Sequence, residues 1–322
     1  MNKLLLVALL AIVACRFSDK EVFQEFQKFQ KKFSKKYSSV QELMARYRIF
    51  ARNYKKVTMR NKKYQGVTRF MDMTQNEFRR KYLTLKYTVG KPAKNVRVKP
   101  IKVNAPDSWD WRDQGAVNLV KDQASCGSCW AFSTVGNLEG QYYLTYKESM
   151  TFSEQQLVDC DDTDSGCGGG EMTWAFEWIK NNGGLESDKD YPYVGYDDMC
   201  SQDESLYKVK VVSWEQLPMD SDPDVIRDYL YETGPLSIGL NADTLQFYSG
   251  GIDDSDEWDC DPDGINHGVT MIGYGEEDGL KYWICKNSWG DYWGEDGFFR
   301  MSRGKNTCGI EHEIEGAKVE KA

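Results

Sequence analysis

Histidine is scarce: the 322 residues include two, His267 and His312, so a reaction that needs an imidazole base has a short list of candidates. Long apolar runs are also missing. The one continuous run, Leu4 to Val13, has ten residues, where a membrane-spanning helix needs about 20. With Lys3 before it and Ala14-Cys15 after it, the run reads as a cleaved secretory signal over residues 1–15. A bacterial lipoprotein signal with Cys15 lipidated is the alternative. No Asn-x-Ser/Thr triplet occurs, and Asn306-Thr307-Cys308 is only a variant of one, so sorting by a glycan tag is not expected. No internal repeat is visible. Secretory entry implies oxidative folding. Without Cys15, eight cysteines remain, at 126, 129, 160, 167, 200, 260, 285 and 308. Eight cysteines allow 105 pairings, and spacing alone does not choose among them.

Charge is abundant but unevenly placed. Residues 16–104 carry 25 Lys and Arg against 6 Asp and Glu, whereas residues 105–322 carry 15 against 44. Two such halves should attract each other, less so in salt. A basic arm can bind nucleic acid, but the apolar period here reads as folded helices, and no nucleic-acid partner is expected. Phe23, Phe26, Phe29 and Phe33 recur at helical steps, and a second amphipathic run spans about Ser39 to Asn61. Further on, Phe132, Val135, Leu138 and Tyr142 predict a helix starting near Cys129. Ser153 and Gln156 predict a capping box that opens a helix ending near Cys160. The run Gly166 to Gly170 reads as a loop that lets a ligand backbone approach closely, and Trp174, Phe176 and Trp178 read as core. From about Lys208 short alternating strands predominate, at Val209–Val211, Leu236–Leu240, Val269–Ile272, Tyr282–Cys285 and Phe298–Met301, so an α+β chain with a half-open antiparallel barrel is expected.

The stretch Gln123 to Ser133, QASCGSCWAFS, carries the chemistry. At a helix N-terminus, free N–H groups and the helix dipole favour thiolate over thiol at Cys129. Cys126-Gly-Ser-Cys129 could also be a redox CxxC, half of a zinc site or a structural pair. Partners elsewhere bear on this. His267 follows Cys129 by 138 residues, in Asn266-His267-Gly268, and Asn287 follows by 158, in Lys286-Asn287-Ser288-Trp289-Gly290. Zinc would need four converging Cys or His ligands, and a redox CxxC a thioredoxin-type βαβ context.

Together these motifs resemble the papain-like cysteine peptidases, cathepsin L-like subgroup. Trp111-Arg112 fits the family's DWR and Tyr191-Pro192-Tyr193 fits as well. Glu42, Arg46, Phe50, Asn53, Val57 and Asn61 are similar to the ERFNIN stripe, with Val57 where Ile is usual. Gly66, Thr68, Phe70 and Asp72 are similar to GxNxFxD, with Thr68 for Asn. The resemblance implies a papain-like two-domain fold, with a helical left domain (about 105–208) and an antiparallel β-barrel right domain (about 209–322). A helical inhibitory propeptide over 16–104 would precede the mature peptidase, 105–322, and residues 81–104 would cross the cleft opposite to substrate.

The same resemblance implies a thiol endopeptidase made as a zymogen, with Cys129 as nucleophile, His267 as its acid–base partner, Asn287 orienting the imidazole under Trp289, and Gln123 at the oxyanion. It implies Gly169 and Gly170 on substrate backbone and a P2 pocket of Met172, Gly239, Ile265, Asn266 and Glu313, with Glu171 at the rim. Glu313 departs from the small or apolar residue usual in cathepsin L-like enzymes, so Arg is expected at P2 beside apolar and aromatic side chains; the other reading turns Glu313 to solvent. The implied disulfides are Cys126–Cys167, Cys160–Cys200 and Cys260–Cys308, leaving Cys129 free and Cys285 as a buried thiol. His312 is expected to be a bystander. No metal or cofactor is expected. The partners are peptide and protein substrates, the chain's own propeptide and cystatin-type inhibitors, and the enzyme is expected to be a monomer in the secretory pathway, lysosome-like or extracellular. The alternative is a catalytically weak binding or inhibitor relative.

Overall fold

The structure, a computed structural model, describes residues 20–87, 96, 103–219 and 221–322. The expected leader and most of the expected cleft-crossing stretch beyond residue 87 lie outside the described residues.

Helix α1, Lys20–Lys32, buries Val22, Phe26 and Phe29. Helix α2, Val40–Arg60, starts where the Ser39 side chain accepts from the Glu42 N–H and stops at Asn61, whose φ of 48° is left-handed. Phe50 packs between Phe26 and Phe29, at ring separations of 5.2 and 5.0 Å. The polar members of the stripe have work of their own. Asn53 Nδ2 donates to the carbonyls of Met71 and Met73 at 3.0 and 2.8 Å. Arg46 donates to the Asp72 carbonyl and the Glu77 carboxylate. Thr68, where Asn is usual, donates from its hydroxyl to the Gln246 carbonyl across the surface. Helix α3, Gln75–Tyr82, opens on a reciprocal capping box of Thr74 and Glu77.

After the short strand β1, Trp109–Asp110, the central helix α4, Cys129–Tyr146, is buried almost all round. Its polar residues are therefore paired: the Ser133 hydroxyl donates to the Val269 carbonyl and Asn137 Nδ2 to the Pro235 carbonyl. Helices α5, Glu154–Cys160, and α6, Met172–Asn182, pack beside it. Strands β2, Val209–Gln216, and β3, Leu236–Leu240, flank helix α7, Pro223–Thr233. There follow β4, Ile252–Asp253, β5, His267–Glu277, β6, Leu280–Lys286, β7, Phe298–Ser302, and β8, Glu313–Lys321. The sheet runs β2-β8-β3-β5-β6-β7-β4, with β1 on β5, antiparallel throughout except β4 against β7.

Four local expectations need correction. Only half of the capping box at Ser153 forms: Ser153 accepts from the Gln156 N–H, while the Gln156 amide turns to Gly184 and Gln202 because the Ser153 N–H is taken by the Glu186 carbonyl. Trp174 is half-buried rather than core, unlike Phe176 and Trp178. Helix α7 interrupts the strand-rich half. Strand β8 lies outside the expected strands, because its charged residues mask the alternation; Glu313 and Glu315 are buried, while Glu320 is exposed.

Disulfides join Cys126 to Cys167, Cys160 to Cys200 and Cys260 to Cys308, the pairs that the resemblance implies. Cys285 is a buried free thiol, pushed up by burial. No helix among the described residues is long and apolar enough to cross a membrane.

Candidate active site

The cleft lies where α4 meets β5. Cys129 is the first residue of α4, and Ser128 before it makes no side-chain cap, so the helix-terminal N–H groups stay directed at the sulfur's surroundings. His267 is the first residue of β5. Its Nε2 lies 2.9 Å from Asn287 Oδ1, just past β6, and its ring lies 4.8 Å from that of Trp289, which excludes water from the bond. The opposite nitrogen, Nδ1, is buried and makes no hydrogen bond. Burial pushes the Cys129 thiol up, but the neighbouring His267 imidazole, with backbone N–H groups of Gly268 and Thr84, outweighs it, so the thiol is held below its ordinary value.

Gln123 is wholly buried and its amide is locked. Its Oε1 accepts from the Ser288 hydroxyl at 2.7 Å and from the Trp289 indole at 3.0 Å, which turns Nε2 the other way, where it donates to the Cys126 carbonyl at 2.9 Å. The amide's second hydrogen is left over from these bonds. Three aromatic rings of the amino-terminal region, Phe70, Phe78 and Tyr82, cover Trp289 at 5.2, 5.3 and 6.2 Å.

The chain itself occupies the cleft. Leu85 N–H donates to the Asn266 carbonyl at 3.0 Å and Lys86 N–H to the Gly170 carbonyl at 2.8 Å. Gly169, at a φ of 103°, leaves room for Thr84: a Cβ there would lie 2.0 Å from the Thr84 carbonyl oxygen. Leu85 joins the apolar cluster of Cys129, Met172 and Ile265.

Gly239 stands opposite Glu313 in the β3–β8 ladder. Glu313 is fully buried, which excludes the solvent-facing reading. Glu171, expected at the rim, is buried against it, and burial with the Glu171 and Glu315 charges raises the Glu313 carboxyl well above the ordinary range. Glu315 and Tyr87 also face this pocket and were missed by sequence reasoning. Alternation along Glu311, Glu313 and Glu315 was the signal that would have found Glu315. His312, on the other face, contacts Asn306 and stands apart from the cleft. The structure thus brings Cys129, His267, Asn287, Gln123 and Trp289 together, with Gly169, Gly170, Met172, Gly239, Ile265, Asn266 and Glu313 beside them.

Basic side chains of the amino-terminal region bind acidic partners across the surface: Arg60 and Lys62 to Asp259, Arg69 to Asp122, and Arg79 to Asp243.

Residues 105–317 match the model of the papain family cysteine proteases, and residues 26–78 match the cathepsin propeptide inhibitor domain. Cysteine proteinase 15A of Pisum sativum is 41% identical over 311 residues, covering 90% of this chain and 84% of that protein. Cathepsin F of Drosophila melanogaster is 42% identical over 301 residues, covering 88% of this chain but 48% of that longer protein. The digestive procathepsin L 3 structure from Tenebrio molitor larval midgut superposes with a TM-score of 0.82 at 35% identity, covering 93% of this chain and all of the other.

Proposed function

The chain belongs to the papain family of cysteine proteases, and we propose that it is an endopeptidase, made as an autoinhibited zymogen, that works through a Cys129–His267 thiolate–imidazolium pair. The Cys129 sulfur attacks the peptide carbonyl, and the oxyanion that forms is met by the Gln123 amide and the Cys129 backbone N–H, a contact typically worth about 3–4 kcal/mol of barrier. His267 gives its proton to the leaving amine, and water, deprotonated by the same imidazole, then releases the acyl enzyme. Asn287 holds the far nitrogen, and Trp289 shields that bond. The observation that carries the reading is this geometry: a lowered thiol at the start of a buried helix, beside a histidine whose other nitrogen is held 2.9 Å from an asparagine.

Residues 1–15 act as the leader, 16–104 as the propeptide and 105–322 as the mature enzyme, with cleavage in the neighbourhood of Asn104-Ala105. The three disulfides support passage through the secretory pathway, to a lysosome-like compartment or the exterior. The mature enzyme acts as a monomer open to cystatin-type inhibitors. Its P2 pocket takes apolar or aromatic side chains, as Leu85 beside Met172 and Ile265 suggests, and also Arg, which a Glu313 carboxylate can pair.

An epoxide or vinyl-sulfone thiol trap applied to acid-matured protein tests the reading. Stoichiometric labelling at Cys129, with peptide hydrolysis abolished in Cys129→Ala, is the expected result. Hydrolysis surviving that substitution, or labelling confined to Cys285, would overturn it in favour of a binding or inhibitory relative. In the same assay Glu313→Ala should lower Arg turnover relative to Phe at P2; an unchanged ratio removes the Arg preference.

A further inference from the structure

The pocket beside Cys129 holds more carboxyl groups than recognition of one guanidinium requires. Glu171 stands at the start of α6, and Glu313 and Glu315, two residues apart, share one face of β8. All three are buried, and one ligand oxygen from each can be chosen so that all lie within 4.8 Å of one another. Oxygens on opposite sides of a calcium ion lie about 4.8 Å apart, so a single ion can touch all three.

Acidic clusters often satisfy themselves by sharing protons, and Glu313 does lie against the Glu171 carboxyl. The valence left over is what distinguishes this one. Both oxygens of Glu313 and Oε2 of Glu315 are buried without any other partner, and no lysine or arginine pairs with Glu313 or Glu315 among the described residues. Glu315 Oε1, in contrast, is fixed by Gln216 Nε2 at 2.9 Å, which orients Oε2. Room for the cluster comes from Gly239, where a Cβ would lie 2.0 Å from Glu313 Oε2. Fully buried carboxylate oxygens with nothing to accept from are costly unless something positive meets them.

We propose that Glu171, Glu313 and Glu315 of the matured enzyme bind one hard divalent cation, of the calcium or manganese class, at the floor of the P2 pocket. An all-oxygen anionic donor set selects such ions over softer ones. In the zymogen Tyr87 covers the pocket, its hydroxyl donating to Met219 Sδ at 3.8 Å rather than to a carboxylate, so the cation enters only after the propeptide leaves. A P2 side chain and the cation then compete for one space. That competition rests on the peptidase reading; the binding does not.

The probe is Mn2+, followed by its paramagnetic resonance signal at neutral pH, on acid-matured enzyme whose Cys129 is capped as a methyl disulfide so that no thiolate can ligate. The expected result is one Mn2+ per molecule, displaced by Ca2+, with binding at least tenfold weaker in Glu313→Gln, in Glu315→Gln and in the zymogen. Glu171→Gln serves in place of either β8 variant that fails to fold. In uncapped enzyme Ca2+ should raise KM at least threefold for both Leu and Arg at P2 and leave kcat unchanged, an effect lost with Glu313→Gln. Absence of stoichiometric Mn2+, or equal binding in the variants, would overturn the site. Binding by a protein that hydrolyses no peptide would count against the peptidase reading and leave the cation site standing.

Discussion

The basic amino-terminal region and the acidic protease region meet along one surface but are held together differently. The first has no disulfide among its described residues and is built on a cluster of rings, Phe26, Phe29, Tyr47 and Phe50, with Asn53 and Arg46 binding the turn at Met71–Met73. The second carries three disulfides and two apolar cores. A cross-linked body keeps its shape when a partner leaves, whereas a small uncross-linked one depends on its core and its docking. An inhibitor that must be shed is built like the second kind.

Glu77 of the first region and the buried pair Asp161 and Asp164 of the second titrate in opposite directions. Burial pushes the Glu77 carboxyl up, but hydrogen bonds from Thr74 and Arg46 outweigh it and hold it below the ordinary range. A depressed carboxyl contributes stability that is present above its unfolded pKa, about 4.3, and is lost as pH falls through the folded value. In the protease region burial holds Asp161 up, and burial with the Asp161 charge does the same to Asp164. A raised carboxyl has the reverse sign: its advantage is present below the unfolded pKa, about 3.9, and is lost as pH climbs toward the folded value. At these groups, then, acid removes a contribution from the amino-terminal region and restores one to the protease region.

The comparison can be broken most severely at Phe50. Phe50→Ala empties a fully buried site between two rings and should cost about 3–5 kcal/mol, enough to unfold the inhibitory region and end latency at pH 7. Zymogen half-life at neutral pH reads this out, and a latent variant would mean that docking alone holds the region. A smaller effect separates the two pH signs. Glu77→Gln should flatten the acid side of the zymogen's activation profile, while Asp164→Asn should flatten the alkaline fall in melting temperature of the matured enzyme. Neither variant should alter the other profile, and a shift of both by either one would contradict the assignment. The smallest effect belongs to Arg79→Ala. Its ion pair with Asp243 is half exposed, so the change should cost less than about 1 kcal/mol and vanish in high salt, as activation rates at two ionic strengths would show.

Much of this organisation could be read in the chain. The period of Phe23 to Phe33, the stripe from Glu42 to Asn61 and the helix after Cys129 are local patterns, set by which side chains fall on one face over a few turns. Cys129, His267, Asn287 and Gln123 announced themselves because few histidines exist and because each sits in a short motif. Other features were not local. Glu313 entered the P2 pocket by resemblance alone, Glu315 looks like a surface residue in a charged tail, and the pairing of β8 with β3 and β2 is what turns both inward. Leu85, Lys86 and Tyr87 are ordinary residues of a basic segment until the fold lays them against Asn266, Gly170 and the three glutamates respectively.

Composition and short-range periodicity account for the helices and the opposite charges of the two regions, and short motifs for the residues expected at the cleft. Only the tertiary structure decided which face of β8 is buried, how the Gln123 amide is turned and what fills the cleft. Those depend on contacts between residues far apart in the chain, Gly239 with Glu313, Gln123 with Ser288 and Leu85 with Asn266 among them, which no local pattern encodes.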